Sequence, residues 1–357
     1  MFAVVHGAWP RVSPDGVDIA VLEADVAAGR ADGAALREAV ERLVADIVAV
    51  QVDAGVELVT DGQVRWPDMA MAVVTAFVDD LSTGGRHPLL EAWQATASLT
   101  DRAVAQAVPG PYSMGWHAAG GAAQEVADAA RADRTLALAD ALAHEVRALA
   151  DAGCPVILVE EPRAVDVGED EAERALFADA QRRLLALAPD AHATLVVSGG
   201  SAHRAGPDAI LGTPYRSFLF DLIDGPDNWY LVRATPGDRG IVCGALRVVE
   251  SPTEDQAPLL VWAAGYAAST AARGPSRVGL SNARSLHDVS PATARALVRE
   301  LGRGTRLAAM TPAQAIEAGL DPRTFNRPKP DRPRPSRPTA GRPEADGPKP
   351  GPPGGTA

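Results

Sequence analysis

The adjacent carboxylates Glu160 and Glu161 are the clearest candidates for chemistry in this sequence, because they follow four apolar residues, Val156–Val159. Such a run is typical of a buried strand, and carboxylates beside it are costly to desolvate unless they are paired or used. We therefore expect Glu160 to bind a cationic group or to act as a general base. Glu161 is expected to contact the substrate beside it.

Further polar or aromatic residues follow other apolar runs. If these runs are parallel strands, their carboxyl ends meet at one edge, where ligand sites form. Asp221 is expected to orient Glu160 or to hold an adventitious metal, so Glu160 and Asp221 are the catalytic candidates. The candidates for binding substrate are Arg11, Asp61, Gln63, Tyr112, Trp116, Glu161 and Ser198.

Three of the segments that follow the apolar runs contain a tryptophan, at Trp9, Trp66 and Trp116, although the chain is only 4% aromatic. A flat ring ligand such as a pterin would explain this placement, and packing of the loops against the rim would explain it equally well. Asp61 and Asp68 likewise either bind ligand or cap the backbone of their own loop.

The elements that position these residues alternate between short β-branched runs and long stretches rich in Ala, Leu, Arg and Glu. The pattern predicts strands at 2–5, 56–60, 102–108, 155–160, 193–198, 217–221, 240–246 and 277–281. It predicts helices at 34–54, 122–152, 169–188, 253–272 and 291–309. Eight strands alternating with helices predict a (β/α)₈ TIM barrel, with a doubly wound open sheet as the main alternative.

Charge and lysine content narrow the chemistry further. Of the net charge of −12, the last 31 residues carry seven Arg or Lys and three Asp or Glu, so residues 1–326 carry −16. A body that acidic disfavours nucleic acid as a partner. The only lysines, Lys329 and Lys349, lie near the end. Lysine Schiff-base chemistry in the body is therefore excluded, and the partner is expected to be a small-molecule substrate.

Composition also predicts the domain organisation. Residues 327–357 contain ten prolines and five glycines, which predicts a disordered tail after a single barrel at 1–320. No apolar run is long enough to span a membrane, and no signal peptide is evident, so we expect a cytoplasmic protein with no membrane partner. Cys154 and Cys243 are expected to be reduced and buried. The oligomeric state stays open.

Five segments, in order along the chain, resemble the catalytic domain of cobalamin-independent methionine synthase. Gly7–Arg11 is similar to the family's Gly-Ser-Phe-Pro-Arg start, and Gln51–Gln63 is similar to its Gln-x-x-x-Gly…Asp-Gly-Glu element. Pro109–Ser113 resembles its Gly-Pro loop. Ala152–Pro162 resembles its Ala-Gly-Cys…Asp-Glu-Pro strand, and Val278–Leu280 stands where the family has Cys-Gly-Leu.

The resemblance implies a barrel that moves a methyl group from a 5-methyltetrahydrofolate-type donor to a small thiol held by zinc. Zinc ligation deprotonates a thiol that is mostly protonated at neutral pH. The positions matching the family's ligands are Val196, Ser198, Asp221 and Val278, of which only Asp221 could bind a metal. We therefore expect no metal ligands and a changed substrate, since Gln63 also replaces the family's glutamate.

Two other functions stay open at this stage. The resemblance extends distantly to uroporphyrinogen decarboxylase, a lyase that needs no metal, and Arg11 and Arg65 would then face a polycarboxylate substrate. The chain could instead be a catalytically inactive paralogue that binds a small molecule, because loss of metal ligands is how such cases start.

Overall fold

Eight parallel strands form a barrel in a computed structural model that describes residues 1–66, 86–118, 128–251 and 254–317. The strands run in the order β1-β8-β7-β6-β5-β4-β3-β2. Their bounds are β1 Phe2–Ala3, β2 Leu58–Val59, β3 Ala103–Pro109, β4 Val156–Glu160, β5 Ala193–Val197, β6 Ser217–Asp221, β7 Gly240–Leu246 and β8 Val278–Asn282. A parallel bridge between Val4 and Leu58 joins the two edges. The barrel prediction is confirmed, and the open sheet is excluded.

Helices surround the strands. In the described ranges they are α1 Ile19–Ala27, α2 Gly33–Ala54, α3 Pro88–Ala97, α4 Pro111–Ala118, α5 Asp128–Asp151, α6 Glu171–Leu185, α7 Pro207–Leu211, α8 Trp229–Ala234, α9 Ala257–Ser269, α10 Pro291–Ala308 and α11 Pro312–Glu317. The five long helices expected from the sequence are present as α2, α5, α6, α9 and α10. The other six described helices, α1, α3, α4, α7, α8 and α11, were not predicted. Asp68 and the predicted tail at 327–357 lie outside the described residues.

Local signals explain where the long helices begin and end. The Asp32 carboxylate accepts a hydrogen bond from the Ala34 amide at the start of α2, and Gly55 ends that helix at φ +83°. Ser290 caps α10 by accepting from the Thr293 amide. These caps lie next to the predicted boundaries, which is why the long helices could be placed closely from sequence.

The core has two parts. A small cluster fills the inside of the barrel and consists of Val4, Leu58, Ala105, Leu158, Val196, Leu219 and Val242. The larger cluster lies between the strands and the helices. Because side chains alternate along a strand, Glu160 points inward two residues beyond Leu158. It therefore lies at the carboxyl end of the barrel interior.

Two further expectations concern the cysteines and membranes. Cys154 and Cys243 are both free and buried, as predicted. Burial raises the pKa of the Cys154 thiol to about 11 and that of Cys243 to about 12, so both are protonated at neutral pH. No helix in the described part of the chain is long and apolar enough to cross a membrane.

Candidate functional site at the carboxyl end of the barrel

Glu160 is the centre of the candidate site. Its Oε1 atom accepts two hydrogen bonds, from the Gly7 amide at 2.9 Å and from Gln63 Nε2 at 2.7 Å. Its Oε2 atom accepts none from the described residues, and the side chain is only partly buried. One oxygen is thus fixed by the protein, and the other is not engaged by any described residue.

The loop after β2 holds Gln63 in place. Gln63 has a φ of +57°, in the left-handed region that non-glycine residues seldom adopt. The backbone amide of Gln63 donates to Asp61 Oδ1 at 2.9 Å, and the other oxygen of Asp61 accepts from Arg65 Nη1 at 3.0 Å. Asp61 is almost fully buried, so it fixes the loop that holds the side-chain amide of Gln63 against Glu160.

Burial raises the pKa of Glu160 from 4.5 to about 7, and the negative charge of Asp61 adds to the rise. The hydrogen bonds from Gly7 and Gln63 oppose it, because they stabilise the carboxylate. Near neutral pH, Glu160 is therefore divided between acid and carboxylate. This is the protonation behaviour that a general acid or base needs.

His6 is a neighbour of this group that the choice of candidates missed. Its ring Nε2 lies 3.0 Å from the Asn282 carbonyl oxygen, which can only accept, so Nε2 carries the proton. Burial lowers the pKa of His6 to about 4, so the ring is neutral. Its Nδ1 lone pair is buried and has no hydrogen-bond partner among the described residues. The signal in the sequence was its place between β1 and Gly7, whose amide binds Glu160.

Glu161 lies apart from this cluster although it is the next residue. It is fully buried, and its carboxylate accepts from the Tyr112 amide at 3.0 Å, the Ser113 amide at 2.8 Å and the Ser113 hydroxyl at 2.5 Å. Gln181 Nε2 donates to it at 2.7 Å. Burial raises the pKa of Glu161, and these hydrogen bonds oppose the rise. Glu161 therefore anchors the N-terminus of α4 to β4.

Asp221 is also engaged by the backbone. Its Oδ1 atom accepts from the amides of Ile223 and Asp224, both at 2.9 Å, and its Oδ2 atom accepts from the Gly199 amide at 3.1 Å. The residue is fully buried, and burial raises its pKa. This pattern ties the loop after β5 to the loop after β6, and the structure shows no contact between Asp221 and Glu160.

Of the remaining candidates, Ser198 lies at the carboxyl end of the barrel, whereas Arg11 and Tyr112 are engaged by other side chains. Ser198 is partly buried just beyond the end of β5, on the same inward face as Val196. Arg11 binds both oxygens of Glu23 at 2.6 Å. Tyr112 is fully buried and donates to Glu173 at 2.6 Å.

The predicted aromatic loops are mostly packed. The Trp116 ring lies 4.4 Å from the Arg131 guanidinium carbon. Trp9 is only 1% exposed, so it packs beneath the loop and cannot offer its face to a ligand. Trp66 is partly buried. For Trp9, packing is the explanation that the structure favours.

The positions that the resemblance assigns to zinc do not fit zinc. Val196 is fully buried within the barrel core, and Val278 begins β8 at the opposite end of the barrel from Asp221. Asp221 already accepts three amides, and Ser198 is a poor zinc ligand. Among the residues with a described position, no group of three or more His, Cys, Asp or Glu could hold a metal.

Comparison with known proteins supports the fold. No protein-family model matches the chain, and none of the curated proteins matches it. A B12-independent methionine synthase from Shewanella sp. W3-18-1, solved with selenomethionine, is 14% identical, with a TM-score of 0.66 over 88% of this chain and 98% of its own.

Two other solved structures are similar. A putative vitamin-B12 independent methionine synthase from Listeria monocytogenes is 16% identical, with a TM-score of 0.61 over 86% of this chain and 98% of its own. A methyltransferase from Methanosarcina mazei is 13% identical, with a TM-score of 0.51 over 85% of this chain and 94% of its own. At these identities the likeness establishes a shared barrel fold.

Proposed function

We propose that this protein is a small-molecule methyltransferase on a methionine-synthase-like barrel, with a diverged substrate and without the family's zinc. The observation that carries the proposal is Glu160: a carboxyl group at the carboxyl end of the barrel, with one oxygen that no described residue engages and a pKa of about 7. The similar folds of two methionine synthases and a methyltransferase favour this class over others. We propose a 5-methyltetrahydrofolate-type donor and a small thiol, or another small nucleophile, as acceptor.

In the proposed reaction, Oε2 of Glu160 removes the proton from the acceptor's nucleophilic atom. That atom forms a bond to the methyl carbon, and the electron pair of the broken carbon–nitrogen bond stays on the donor nitrogen, which takes a proton from solvent. Gln63 and the Gly7 amide hold the Oε1 atom, so the base keeps its orientation. Such a general base contributes about 10²–10⁴ to a rate.

Ion pairs made by Arg11 and Arg65 weaken the lyase alternative. Arg11 is paired with Glu23, and Arg65 binds Glu41 at 2.9 Å and Asp61 at 3.0 Å. Both guanidinium groups that would face a polycarboxylate substrate are therefore already neutralised. No contact in the described part of the chain favours that reaction over methyl transfer.

The test is a methyl-transfer assay with labelled 5-methyltetrahydrofolate and a panel of thiols, amines and hydroxyl compounds, homocysteine included. We expect turnover whose kcat/KM rises with pH around an apparent pKa near 7. Glu160→Gln should lower kcat at least 100-fold, because the amide cannot accept the proton. The control Glu38→Gln, at an exposed site on α2, should leave it unchanged.

Two results would contradict the proposal. One is full activity of Glu160→Gln with any acceptor that the wild type uses. The other is saturable binding of the folate and an acceptor without transfer of the label, which would identify an inactive binding paralogue.

A further inference from the structure

A cavity lies at the opposite end of the barrel from Glu160, where the strands begin. It has a volume of about 660 Å³, within the range of small-molecule sites. The first residues of β4, β6 and β7, which are Val156, Ser217 and Gly240, contribute to its wall. None of the residues around Glu160 lines it, so it is separate from the site described above.

The cavity exists because the lowest layer of the barrel interior is built from small side chains. Thr194, Ser217 and Gly240 occupy that layer on β5, β6 and β7. On β8 the layer holds Gly279, where a Cβ atom would lie 2.6 Å from the Phe2 ring. The Phe2 side chain thus covers β8, and the space over β5–β7 stays empty.

The inner wall of the cavity is apolar, with one polar strip. Phe2, Leu58, Leu158 and Val242 line it as hydrophobic surface. Along the strip, Ser217 Oγ lies 2.7 Å from Thr194 Oγ1 and 2.9 Å from His192 Nε2. These three groups satisfy each other, so the inner wall suits an apolar body.

The rim is positive in an otherwise acidic protein. Among the described lining residues, Arg216, Arg239 and Arg277 face two acids, Glu57 and Asp238, and Arg216 also pairs with the exposed Asp190 at 3.4 Å. Glu57 is engaged by the Ala3 amide at 2.7 Å, and Arg239 donates to three backbone carbonyl groups. Arg277 is exposed and makes no ion pair with any residue of the described ranges. It is therefore the cation best able to meet a ligand.

From this arrangement, we propose that the amino-terminal end of the barrel binds a small amphipathic anion, with an apolar body inside the cavity and a carboxylate against Arg277. Charge complementarity selects the anion, because the rim is positive while residues 1–326 carry −16. The apolar lining favours a ligand whose buried part is apolar. Methyl transfer at the other end of the barrel is not needed for this binding.

The experiment is calorimetric titration of the full chain with octanoate, with 1-octanol as the uncharged match. We expect saturable one-to-one binding of octanoate, and at least fivefold weaker binding of octanol. Arg277→Glu should weaken octanoate binding at least fivefold. The control Arg299→Glu, which makes the same charge change on the exposed face of α10, should change it less than twofold.

A blocking variant locates the ligand. Ala103, the first residue of β3, is exposed and lines the cavity, so Ala103→Trp should fill the space and abolish binding without lowering Tm. Glu160→Gln should bind octanoate like the wild type. Equal binding of octanol and octanoate, full binding by Ala103→Trp, weakened binding by Glu160→Gln, or no saturable binding would each overturn the proposal.

Discussion

The two ends of this barrel place different side chains at equivalent positions on the strands. At the carboxyl end, inward positions carry Glu160 and Asp221: both oxygens of Asp221 accept hydrogen bonds from neighbouring loops, whereas only Oε1 of Glu160 does among the described residues. At the amino end, they carry Thr194, Ser217 and Gly240, which leave a cavity. Polar residues at the carboxyl ends of these strands therefore mainly fix loops. A candidate for chemistry is recognised by an atom that the protein leaves unengaged.

The largest expected effect on stability is at Glu161. Glu161→Ala leaves two amides, one hydroxyl and the Gln181 amide without their buried acceptor. We expect the free energy of unfolding to fall by about 3–5 kcal/mol, measured by urea denaturation. Glu38→Ala, which removes an exposed carboxylate, should cost less than about 0.5 kcal/mol. A loss at Glu161 as small as this would show that its hydrogen bonds do not hold α4.

The next effect is the pH dependence of stability that Glu160 causes. Its pKa is about 7 in the folded protein against 4.5 unfolded, so the folded state binds more proton in between. Stability should therefore fall as pH rises from about 4.5 through 7. Relative to Glu160→Gln, the wild type should lose on the order of 2 kcal/mol between pH 4.5 and 8, after allowance for the partly exposed carboxyl group.

That difference is measured by urea denaturation of both proteins across this range. The opposing contribution of His6, whose pKa is lowered by burial, is the same in both proteins and cancels in the comparison. A constant difference between wild type and Glu160→Gln at all pH values would contradict the raised pKa.

A smaller effect is expected at Asp221. Asp221→Asn keeps an oxygen for Ile223 and Asp224 but offers an NH₂ group to the Gly199 amide. We expect a loss of about 1 kcal/mol in the free energy of unfolding. Hydrogen exchange should quicken at Gly199 while the amides of Ile223 and Asp224 stay protected. Unchanged exchange at Gly199 would exclude the proposed link between the two loops.

The smallest effect is at the amino end. Arg277→Glu should change the free energy of unfolding by less than about 0.5 kcal/mol, because the side chain is exposed and makes no described ion pair. Denaturation in urea measures this, alongside Arg299→Glu. A loss above about 1 kcal/mol would mean that Arg277 supports the barrel, and the contrast between the ends would be weaker.

The sequence predicts the barrel well because apolar runs such as Val156–Val159 are long and are separated by clear helix signals. Six described helices were not predicted because each has at most 10 residues, too few to show a clear helical period: α1, α3, α4, α7, α8 and α11. Helix α4 starts where Glu161 binds its first amides. Asp32 and Ser290 are local caps, and such signals are visible in sequence.

The candidate site was predictable only in part. The position of Glu160 at the end of an inward-facing strand follows from alternation, and so does that of Ser198. The different environments of Glu160 and Glu161 do not, because they depend on partners as distant as Gln63 and Gln181. The position of His6 just after β1 is visible in the sequence, but its neutral ring is not, because a carbonyl group 276 residues away fixes it.

The role of Glu160 as the base requires a carboxyl group that titrates near neutral pH, and carbon-13 NMR of glutamate-labelled protein measures this directly. We predict one carboxyl resonance that titrates near pH 7 in the wild type and is missing from Glu160→Gln. A Glu160 resonance that titrates near its ordinary value of 4.5 would contradict the assignment of this group as the base.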